Sequence, residues 1–376
     1  MDNQAQRQQG ASEAGAESAQ NTPSDRVRPL VSVIAPMYNE ERFVAPFMQS
    51  MLAQTYPHDR LEILLVDGGS TDGTRDRIAE HVARDPRIRL IDNPGKTEPK
   101  AVNLGLRHAR GEILLRMDGH VGVSADFVSL NVELLERTGA ECVGGCTVTV
   151  PGADTAAGRA IAAAYTSRFG VGSALSRVAE RDPAQMEERE GDETTFGCWR
   201  RDLFDRLGYF DERLARNTDT EFFCRIRNRG GRIIVSPKIL IQYFSRPTFR
   251  GLAKQAFGNG LWGPYMVHLT GTLMKPRHLV PLGFILALLG LGVLSFFWWP
   301  ALVLGSAIVL VYLSVGTVMA IRVAPRFDAN PVLVLWGFMT MHFPYGVGSL
   351  WGIMSAPFKF GFRPRAAGSP PAGESR

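Results

Sequence analysis

The chain has 376 residues, of which 45% are hydrophobic and 21% are charged, and this composition excludes an intrinsically disordered protein. The net charge of +5 is small and no run of five or more basic residues occurs, so the sequence gives no support to nucleic acid as a partner. Four cysteines without a Cys-x-x-Cys pair indicate reduced thiols rather than disulfides or a zinc site.

The first 28 residues are rich in Gln, Ala, Ser, Glu and Gly, and residues 2–26 contain no Leu, Ile, Val or Phe. Such a segment cannot bury a core, so we predict a disordered tail over residues 1–28. It also lacks the apolar stretch of a secretory signal, which favours a cytoplasmic location for the domain that follows.

Ordered structure is predicted to begin with four short apolar strands over residues 31–36, 61–66, 87–91 and 112–117. A helical pattern covers about residues 41–54, and helix-compatible stretches separate the later strands. Strands that alternate with helices predict an α/β fold with a doubly wound, Rossmann-like and largely parallel sheet.

Polar residues follow three of these strands at the point where each strand ends. They are Tyr38, Asn39 and Glu40 after the first strand, Asp67 after the second, and Asp118 and His120 after the fourth. Ligands of such sheets bind beyond the carboxyl ends of the strands, so we expect a site here. Helix capping is the alternative for Asn39 and Glu40, and an ordinary turn and N-cap is the alternative for Ser70, Thr71 and Asp72 after the second strand. Asp118 and His120 are alternate residues that can offer a carboxylate and an imidazole to one ion.

The order and spacing of these motifs resemble the family 2 inverting glycosyltransferases of the GT-A fold. Val33-Ile-Ala-Pro-Met-Tyr-Asn-Glu40 resembles the opening strand and nucleotide-binding turn of that family, and Leu65-Val-Asp-Gly-Gly-Ser-Thr-Asp-Gly-Thr74 resembles its second turn. Asp118-Gly-His120 stands where the family has a metal-binding Asp-x-Asp. Three later segments resemble its acceptor loop and catalytic-base region, namely Glu193-Thr-Thr-Phe-Gly-Cys-Trp-Arg-Arg201, Gly208-Tyr-Phe-Asp-Glu-Arg213 and Asn217-Thr-Asp-Thr-Glu221.

A nearer resemblance is to bacterial membrane-attached enzymes that extend lipid-linked exopolysaccharide repeats of the succinoglycan type, in which Asp-x-His replaces Asp-x-Asp. The chain departs from the family pattern at Gly68, where a second Asp is often found, and at Thr218, where an acidic residue or Gln often precedes the base. Both departures weaken an inference about the donor.

The resemblance implies a nucleotide-sugar donor bound by Pro36, Tyr38, Asn39, Glu40, Asp67, Lys100 and Asp118. Asp67 is expected to accept a hydrogen bond from the uracil imide, and Tyr38 to cover the base. Asp118 and His120 are expected to hold Mn²⁺ or Mg²⁺ against the leaving diphosphate. Lys96 and Lys100 are candidates for phosphate contacts, with a solvated basic turn as the alternative.

Inversion requires one general base, and the resemblance implies that Asp219 has this role. The alternative is that Asp219 caps the helix predicted to begin here. Glu221 is the reserve base, with a structural or acceptor-orienting role as its alternative. For Trp199 an acceptor platform and a buried aromatic are both open.

The last third of the chain predicts membrane attachment. Residues 246–277 combine aromatic and basic side chains, which suits interfacial amphipathic segments. The 43 residues between His278 and Arg322 include no Asp, Glu, Lys or Arg, and one helical crossing needs about 20. We predict two transmembrane helices over residues 279–299 and 301–321, joined by an interfacial Trp298-Trp-Pro300. A third stretch, 330–358, contains His342, Pro344 and several glycines, so a full crossing and a re-entrant or broken helix stay open. A basic, flexible tail follows over residues 359–376.

The sequence thus predicts a GT-A domain over residues 29–245, on the cytoplasmic face of a bacterial inner membrane, that transfers one sugar per encounter. Residues 255–262 lack the Gln-x-x-Arg-Trp of processive synthases. The expected donor is a UDP-hexose, and the expected acceptor is a polyprenyl-diphosphate-linked saccharide. Membrane lipid and other exopolysaccharide assembly enzymes are the further partners expected. A polyprenyl-phosphate monosaccharide synthase and a noncatalytic sugar-nucleotide sensor are the alternatives.

Overall fold

The computed structural model of this protein describes residues 28–172 and 187–361. The tails predicted over residues 1–28 and 359–376 therefore lie almost wholly outside the described residues. Within the described residues, an α/β domain is followed by four long helices.

The described strands form one sheet. Their bounds are β1 Val31–Met37, β2 Leu61–Asp67, β3 Ile88–Asp92, β4 Ile113–Arg116, β5 Gly122–Val123, β6 Cys142–Val150, β7 Arg189–Glu190, β8 Thr195–Arg200 and β9 Ile233–Phe244. The order across the sheet is β3-β2-β1-β4-β8-β6-β9-β5, and β7 also pairs with β9. The four predicted strands agree with β1 to β4 to within one residue at either end.

The parallel half of the sheet aligns the carboxyl ends of β1 to β4. β1 pairs with β2 so that Met37 lies opposite Asp67, and β2 pairs with β3 so that Asp67 lies opposite Asp92. On its other side β1 pairs with β4, where Ile34 lies opposite Arg116. Residues that directly follow these strands therefore meet at one edge of the sheet, which is where the sequence places the candidate site.

The second half of the sheet is mixed. β8 runs antiparallel to both β4 and β6, β6 and β9 are parallel, and β5 and β7 are antiparallel to β9. The predicted parallel arrangement is confirmed for β1 to β4, and the later strands add antiparallel pairings. These strands give a weak sequence signal, because β5 and β7 have two residues each and β6 contains two adjacent glycines.

Helices cover both faces of the sheet. Their bounds are α1 Glu41–Leu52, α2 Thr74–Arg84, α3 Glu98–His108, α4 Phe127–Thr138, α5 Ala156–Thr166, α6 Arg168–Val171, α7 Asp202–Leu207 and α8 Thr218–Asn228. Apolar side chains of α1, α2 and α4 pack on one face, and those of α3, α7 and α8 pack on the other. In α1 the buried side chains recur at helical spacing, at Val44, Phe47, Met48 and Met51.

The C-terminal part consists of α9 Phe249–Thr270, α10 Pro276–Leu294, α11 Pro300–Val323 and α12 Pro331–Phe360. Within the described residues, α10 and α11 with its short 3₁₀ extension are long and apolar enough to span a membrane, as predicted. The connection between them exposes four aromatic side chains, Phe296, Phe297, Trp298 and Trp299. Aromatic residues are enriched where a membrane meets water, so this tip suits such an interface.

The third apolar stretch, for which a full crossing and a re-entrant or broken helix were both open, forms one continuous helix, α12, so the structure disfavours the broken helix. α12 lies alongside α9, with Gly348 against the backbone of Phe257 and Gly352 against the backbone of Leu261. Glycines at these positions allow the two helices to approach closely, so they act as contact residues and not as helix breakers.

Candidate active site

The turn after β1 is fastened to the turn after β2 by Asn39. Asn39 has a left-handed backbone (φ 54°), and its side-chain oxygen accepts a hydrogen bond from the Thr71 amide at 2.8 Å. In return, the backbone amide of Asn39 donates a hydrogen bond to Ser70 Oγ at 2.9 Å. The N-cap residue of α1 is Glu40, which makes no side-chain capping bond, and the Asn39 side chain joins the two turns expected to receive the donor.

The Asp67 carboxylate is fully buried beneath the second turn. It accepts hydrogen bonds from the Gly69 and Ser70 amides, from Ser70 Oγ at 2.5 Å and from Arg75 at 2.7 Å. Burial acts to raise the pKa of Asp67, but the hydrogen bonds from Ser70 and Arg75 outweigh it, so the pKa is lowered. These bonds hold the turn and keep the Asp67 carboxylate outside the lining of the cleft described next, and its expected contact with uracil stays a prediction.

A cleft of about 260 Å³ opens at the carboxyl ends of β1 and β4. Its lining includes residues predicted to bind the donor or the metal: Pro36, Tyr38, Glu40, Asp118 and His120. Tyr38 is 58% exposed and can cover a planar group, as an aromatic ring does. Lys96 also lines the cleft, whereas the stem of Lys100 packs against Gly95 outside that lining.

His120 is oriented by a neighbouring carboxylate. Its Nδ1 lies 3.0 Å from Glu40 Oε1, and this hydrogen bond raises the pKa of His120 against the opposing effect of burial. A hydrogen bond from one ring nitrogen to a carboxylate commonly orients the other nitrogen toward a metal. Glu40, predicted to contact the donor, is therefore engaged in supporting His120.

Arg116 joins the candidate site in the structure, although the sequence analysis did not identify it. It is 5% exposed, and its guanidinium donates to Asp219 Oδ2 at 2.6 Å, to Asp118 Oδ1 at 3.2 Å and to Glu98. Burial acts to lower the pKa of Arg116, but the charges of Asp219, Glu98 and Asp118 outweigh it and raise the pKa above its usual value. One buried cation thus ties the predicted base to the predicted metal ligand.

The chemistry of these residues fits a divalent ion. Asp118 and His120 offer a carboxylate and an imidazole, which suit Mn²⁺ and Mg²⁺. The carboxylates around Arg116 outnumber its single positive charge, so the cluster favours an added cation. No group of three or more His, Cys, Asp or Glu side chains within residues 28–172 and 187–361 could hold a metal by itself. Donor phosphates and water would have to complete the ligand set.

Asp219 lies in the first turn of α8, two residues after Asn217, whose backbone is left-handed (φ 61°). Its carboxylate is 43% exposed and accepts a hydrogen bond from Arg116. The helix has no side-chain cap at its N-terminus, which disfavours capping as the role of Asp219. A carboxylate that is held in place and still accessible is suited to accept a proton.

Glu221 faces the interior. It is 4% exposed and forms an ion pair with Arg225 at 2.8 Å, and burial raises its pKa. A carboxylate committed to this pair is poorly placed as a reserve base, so the structure favours the structural alternative for Glu221.

Trp199 is 1% exposed, at the centre of an aromatic cluster formed with Phe204, Phe210 and Phe222. A side chain in this position cannot present a platform to an acceptor. Of the two alternatives left open for Trp199, the structure favours the buried aromatic.

Residues 32–208 match the family model described as Glycosyl transferase family 2. The chain carries a family 2 glycosyltransferase domain. The matched residues include the turns after β1 and β2 as well as Asp118 and His120. Asp219 lies beyond the end of the matched range. The family predicted from the sequence motifs is thus confirmed.

Two relatives and one solved structure are similar to this chain. Succinoglycan biosynthesis protein ExoA of Rhizobium meliloti (strain 1021) is 28% identical over 230 residues, which cover 61% of this chain and 67% of the relative. The dolichyl N-acetyl-alpha-D-glucosaminyl phosphate 3-beta-D-2,3-diacetamido-2,3-dideoxy-beta-D-glucuronosyltransferase of Methanococcus voltae is 23% identical over 302 residues, or 74% of this chain and 86% of the relative. Mannosyltransferase PcManGT from Pyrobaculum calidifontis, solved in complex with GDP-Man and Mn²⁺, has a TM-score of 0.57 at 22% identity and covers 86% of this chain and 88% of its own. This likeness shows the fold, and the predicted GT-A class is confirmed.

Proposed function

We propose that the protein is a membrane-anchored, inverting glycosyltransferase that transfers one sugar from a nucleotide sugar to a polyprenyl-diphosphate-linked saccharide in exopolysaccharide biosynthesis. The observation that carries this proposal is the Arg116 cluster, which holds a partly exposed Asp219 beside Asp118 at the end of the sheet. A proton acceptor and a metal ligand fixed by one guanidinium are the two parts that transfer from a nucleoside diphosphate needs.

In this mechanism the acceptor hydroxyl gives its proton to a carboxylate oxygen of Asp219. The acceptor oxygen then bonds to the anomeric carbon from the face opposite the diphosphate, and the bond from that carbon to the phosphate oxygen breaks. Arg116 keeps the Asp219 carboxylate in place throughout. A divalent ion bound by Asp118 and His120 would neutralise the charge that develops on the leaving diphosphate.

The proposed donor carries a nucleoside diphosphate, and the donor screen is needed to identify its nucleobase. Asp67, the residue expected to contact uracil, accepts hydrogen bonds from Ser70 and Arg75 in the structure. The name of the archaeal relative describes transfer to a sugar already carried by a dolichyl phosphate. Together with the similarity to the succinoglycan protein, this supports a lipid-linked saccharide as the acceptor rather than a bare lipid phosphate. The apolar hairpin of α10 and α11 would hold the catalytic domain beside that lipid, on the cytoplasmic face.

The test is a donor screen with the purified full-length protein in lipid nanodiscs. UDP- and GDP-sugars are offered with Mn²⁺, with Mg²⁺ or with excess chelator, and with either a polyprenyl-diphosphate-linked saccharide or a polyprenyl phosphate. We expect metal-dependent transfer to the saccharide, with inversion seen by NMR of the product. Transfer only to polyprenyl phosphate supports the monosaccharide synthase, full activity in chelator contradicts the metal, and donor binding without transfer supports the sensor.

A further inference from the structure

Helix α9 presents two neutral amide side chains to the α/β domain. Gln255 and Asn259 are four residues apart, so they lie on the same face of the helix, about 6 Å apart along its axis. Gln255 Oε1 accepts a hydrogen bond from Arg246 Nε at 3.2 Å, and Asn259 Oδ1 accepts one from Arg216 at 3.1 Å. Two guanidinium groups, those of Arg216 and Arg246 and here called the arginine pair, are therefore held by amides that lie one helical turn apart.

The loop before α8 contacts α9 at Gly258. A Cβ added to Gly258 would lie 3.1 Å from Arg216 Nε, so the absence of a side chain there leaves room for the guanidinium. The Asn217 side chain also reaches the backbone oxygen of Asn259, at 3.5 Å. The position of Arg216 is therefore set by contacts with α9 as well as by its own loop.

The arginine pair keeps its positive charge. Within residues 28–172 and 187–361, no Asp or Glu carboxylate lies within 4.0 Å of Arg216 or Arg246. Two neighbouring arginines differ, since Arg213 pairs with Asp211 and Arg225 pairs with Glu221. An amide orients a guanidinium through its hydrogen bond without neutralising it, so both groups remain available to an anion.

Each arginine of the pair lies near one part of the candidate site. One guanidinium belongs to the residue three positions before Asp219 in the chain. The other, that of Arg246, follows the end of β9, where Phe244 and His120 both contact the ring of Phe43 at centroid distances of 6.5 and 5.9 Å. An anion bound by both arginines would therefore lie close to the base and to the metal ligand.

We propose that Arg216 and Arg246 form a binding site for the diphosphate of the lipid-linked acceptor. This inference rests on the proposed function. Two guanidinium groups held by amides one helical turn apart can each donate two hydrogen bonds to one of two linked phosphates. A lipid source fits the position, because α9 packs along α12, whose outer surface exposes Trp351, Met354 and Phe358. Apolar side chains of this kind place α9 at the depth of lipid phosphates.

The test measures binding, so it does not depend on observing transfer. Farnesyl diphosphate serves as a soluble prenyl-diphosphate probe, and UDP and GDP serve as nucleoside diphosphates, each titrated by calorimetry into the full-length protein in detergent. Arg216→Gln and Arg246→Gln should each weaken farnesyl diphosphate binding about 10- to 100-fold, as loss of a charged hydrogen-bond donor does, and leave UDP and GDP binding unchanged. Asn259→Asp keeps the size of the side chain and gives Arg216 a carboxylate partner, so it should weaken probe binding as well.

Lys254→Gln is the matched control, since Lys254 is an exposed cation on α9 that points about 100° away from Gln255. The proposal is overturned if farnesyl diphosphate binds all variants with the affinity it has for the natural protein. It is also overturned if the affinity for UDP or GDP falls instead, or if Lys254→Gln lowers the affinity for farnesyl diphosphate as much as the arginine variants do. The thermal midpoint of each variant shows whether it has folded, and Asn259→Asp decides the question if an arginine variant has not. Loss of probe binding in a protein that transfers no sugar would support the site and contradict the proposed function.

Discussion

The two parts of the described chain depart from the usual distribution of polar and apolar side chains in opposite directions. In the α/β domain, the charged side chains of Glu62, Asp67 and Arg116 are at most 5% exposed. In the hairpin of α10 and α11, Phe296 and Trp299 are 87% and 74% exposed. Buried charge and exposed apolar surface both cost free energy unless something compensates them.

In the α/β domain, hydrogen bonds and ion pairs within the protein compensate the buried charges. These networks differ between the start of β2 and the end of β4. Glu62, at the start of β2, accepts hydrogen bonds from Ser32 at 2.5 Å and from Arg110 at 3.0 Å, and this network is closed. Arg116, at the end of β4, pairs with Asp118 and Asp219, whose side chains are 31% and 43% exposed. Glu62 and Asp67 are therefore enclosed, whereas the cluster around Arg116 includes two carboxylates that a substrate can reach.

In the hairpin the compensation has to come from outside the protein. The spanning windows of α10 and α11 are only 11% and 6% buried within the structure. Lipid is the solvent in which such surfaces are stable, because it removes apolar side chains from water. Substitutions of Asp219 in the Arg116 cluster, of the buried Asp67 and of Ser295 at the hairpin tip test this difference, and we expect their effects to decrease in that order.

The largest effect is expected from Asp219→Asn. Asparagine keeps the size of the side chain and can still accept the hydrogen bond from Arg116, but it cannot take the proton of the acceptor hydroxyl. Transfer should fall by about 10²- to 10⁴-fold while donor affinity is retained. Initial rates of transfer and calorimetric donor binding, measured on one preparation, check this.

The matched control for that substitution is Glu221→Gln, two residues along α8. Its carboxylate is buried and paired with Arg225, so the substitution should lower stability and leave the rate of the folded enzyme within a few-fold of normal. A large rate loss in Glu221→Gln together with near-normal transfer by Asp219→Asn would reverse the assignment of the base.

A smaller effect, on stability, is expected from Asp67→Asn. The carboxylate is fully buried under the second turn, and its loss should lower the free energy of unfolding by about 1–3 kcal/mol at pH 7. Because the pKa of Asp67 is lowered in the folded protein, its contribution is complete above the unfolded pKa of about 4 and is lost as the pH falls through the folded value. Urea unfolding at pH 7 and pH 3 should therefore show a difference that shrinks in acid.

Asp92→Asn provides the comparison for Asp67. Asp92 is the second partner of Arg75, at 2.6 Å, but its side chain is 74% exposed. An exposed ion pair contributes less than about 1 kcal/mol, so this variant should be nearly as stable as the natural protein. Equal losses in the two variants would show that burial is not what makes Asp67 important.

The strands and turns around the candidate site could be predicted from sequence because their signals are local. Continuous apolar runs ending in polar residues defined β1, β2 and β4, and parallel pairing then brought Tyr38, Asp118 and His120 to one cleft. The direction of individual side chains is not local. Asp67 and Asp118 both lie at the end of a strand. The Asp67 side chain, however, points beneath its own turn, where it accepts a hydrogen bond from Arg75.

Long-range contacts were beyond the reach of the pattern. Arg116 stands inside an apolar run, and its role depends on Asp219, which is 103 residues further along the chain. Likewise Gln255 and Asn259 are ordinary polar positions on an amphipathic helix until the fold brings two arginines onto them. Trp199 was ambiguous because an aromatic side chain in a motif can serve a core or a ligand.

The smallest effect on the enzyme itself is expected from Ser295→Cys, which tests whether the hairpin crosses the membrane. The four native cysteines are all buried, so a new cysteine at the hairpin tip should be the reactive thiol. The 19 residues of α10 extend about 28 Å, close to the thickness of the hydrocarbon layer, so a crossing places the tip on the far side. A membrane-impermeant maleimide should then label Ser295→Cys from outside intact cells. Asp59→Cys, exposed on the α/β domain, should be labelled only in inverted vesicles. If both positions react from the same side, the hairpin enters the membrane without crossing it, and its exposed aromatics anchor the catalytic domain from one face alone.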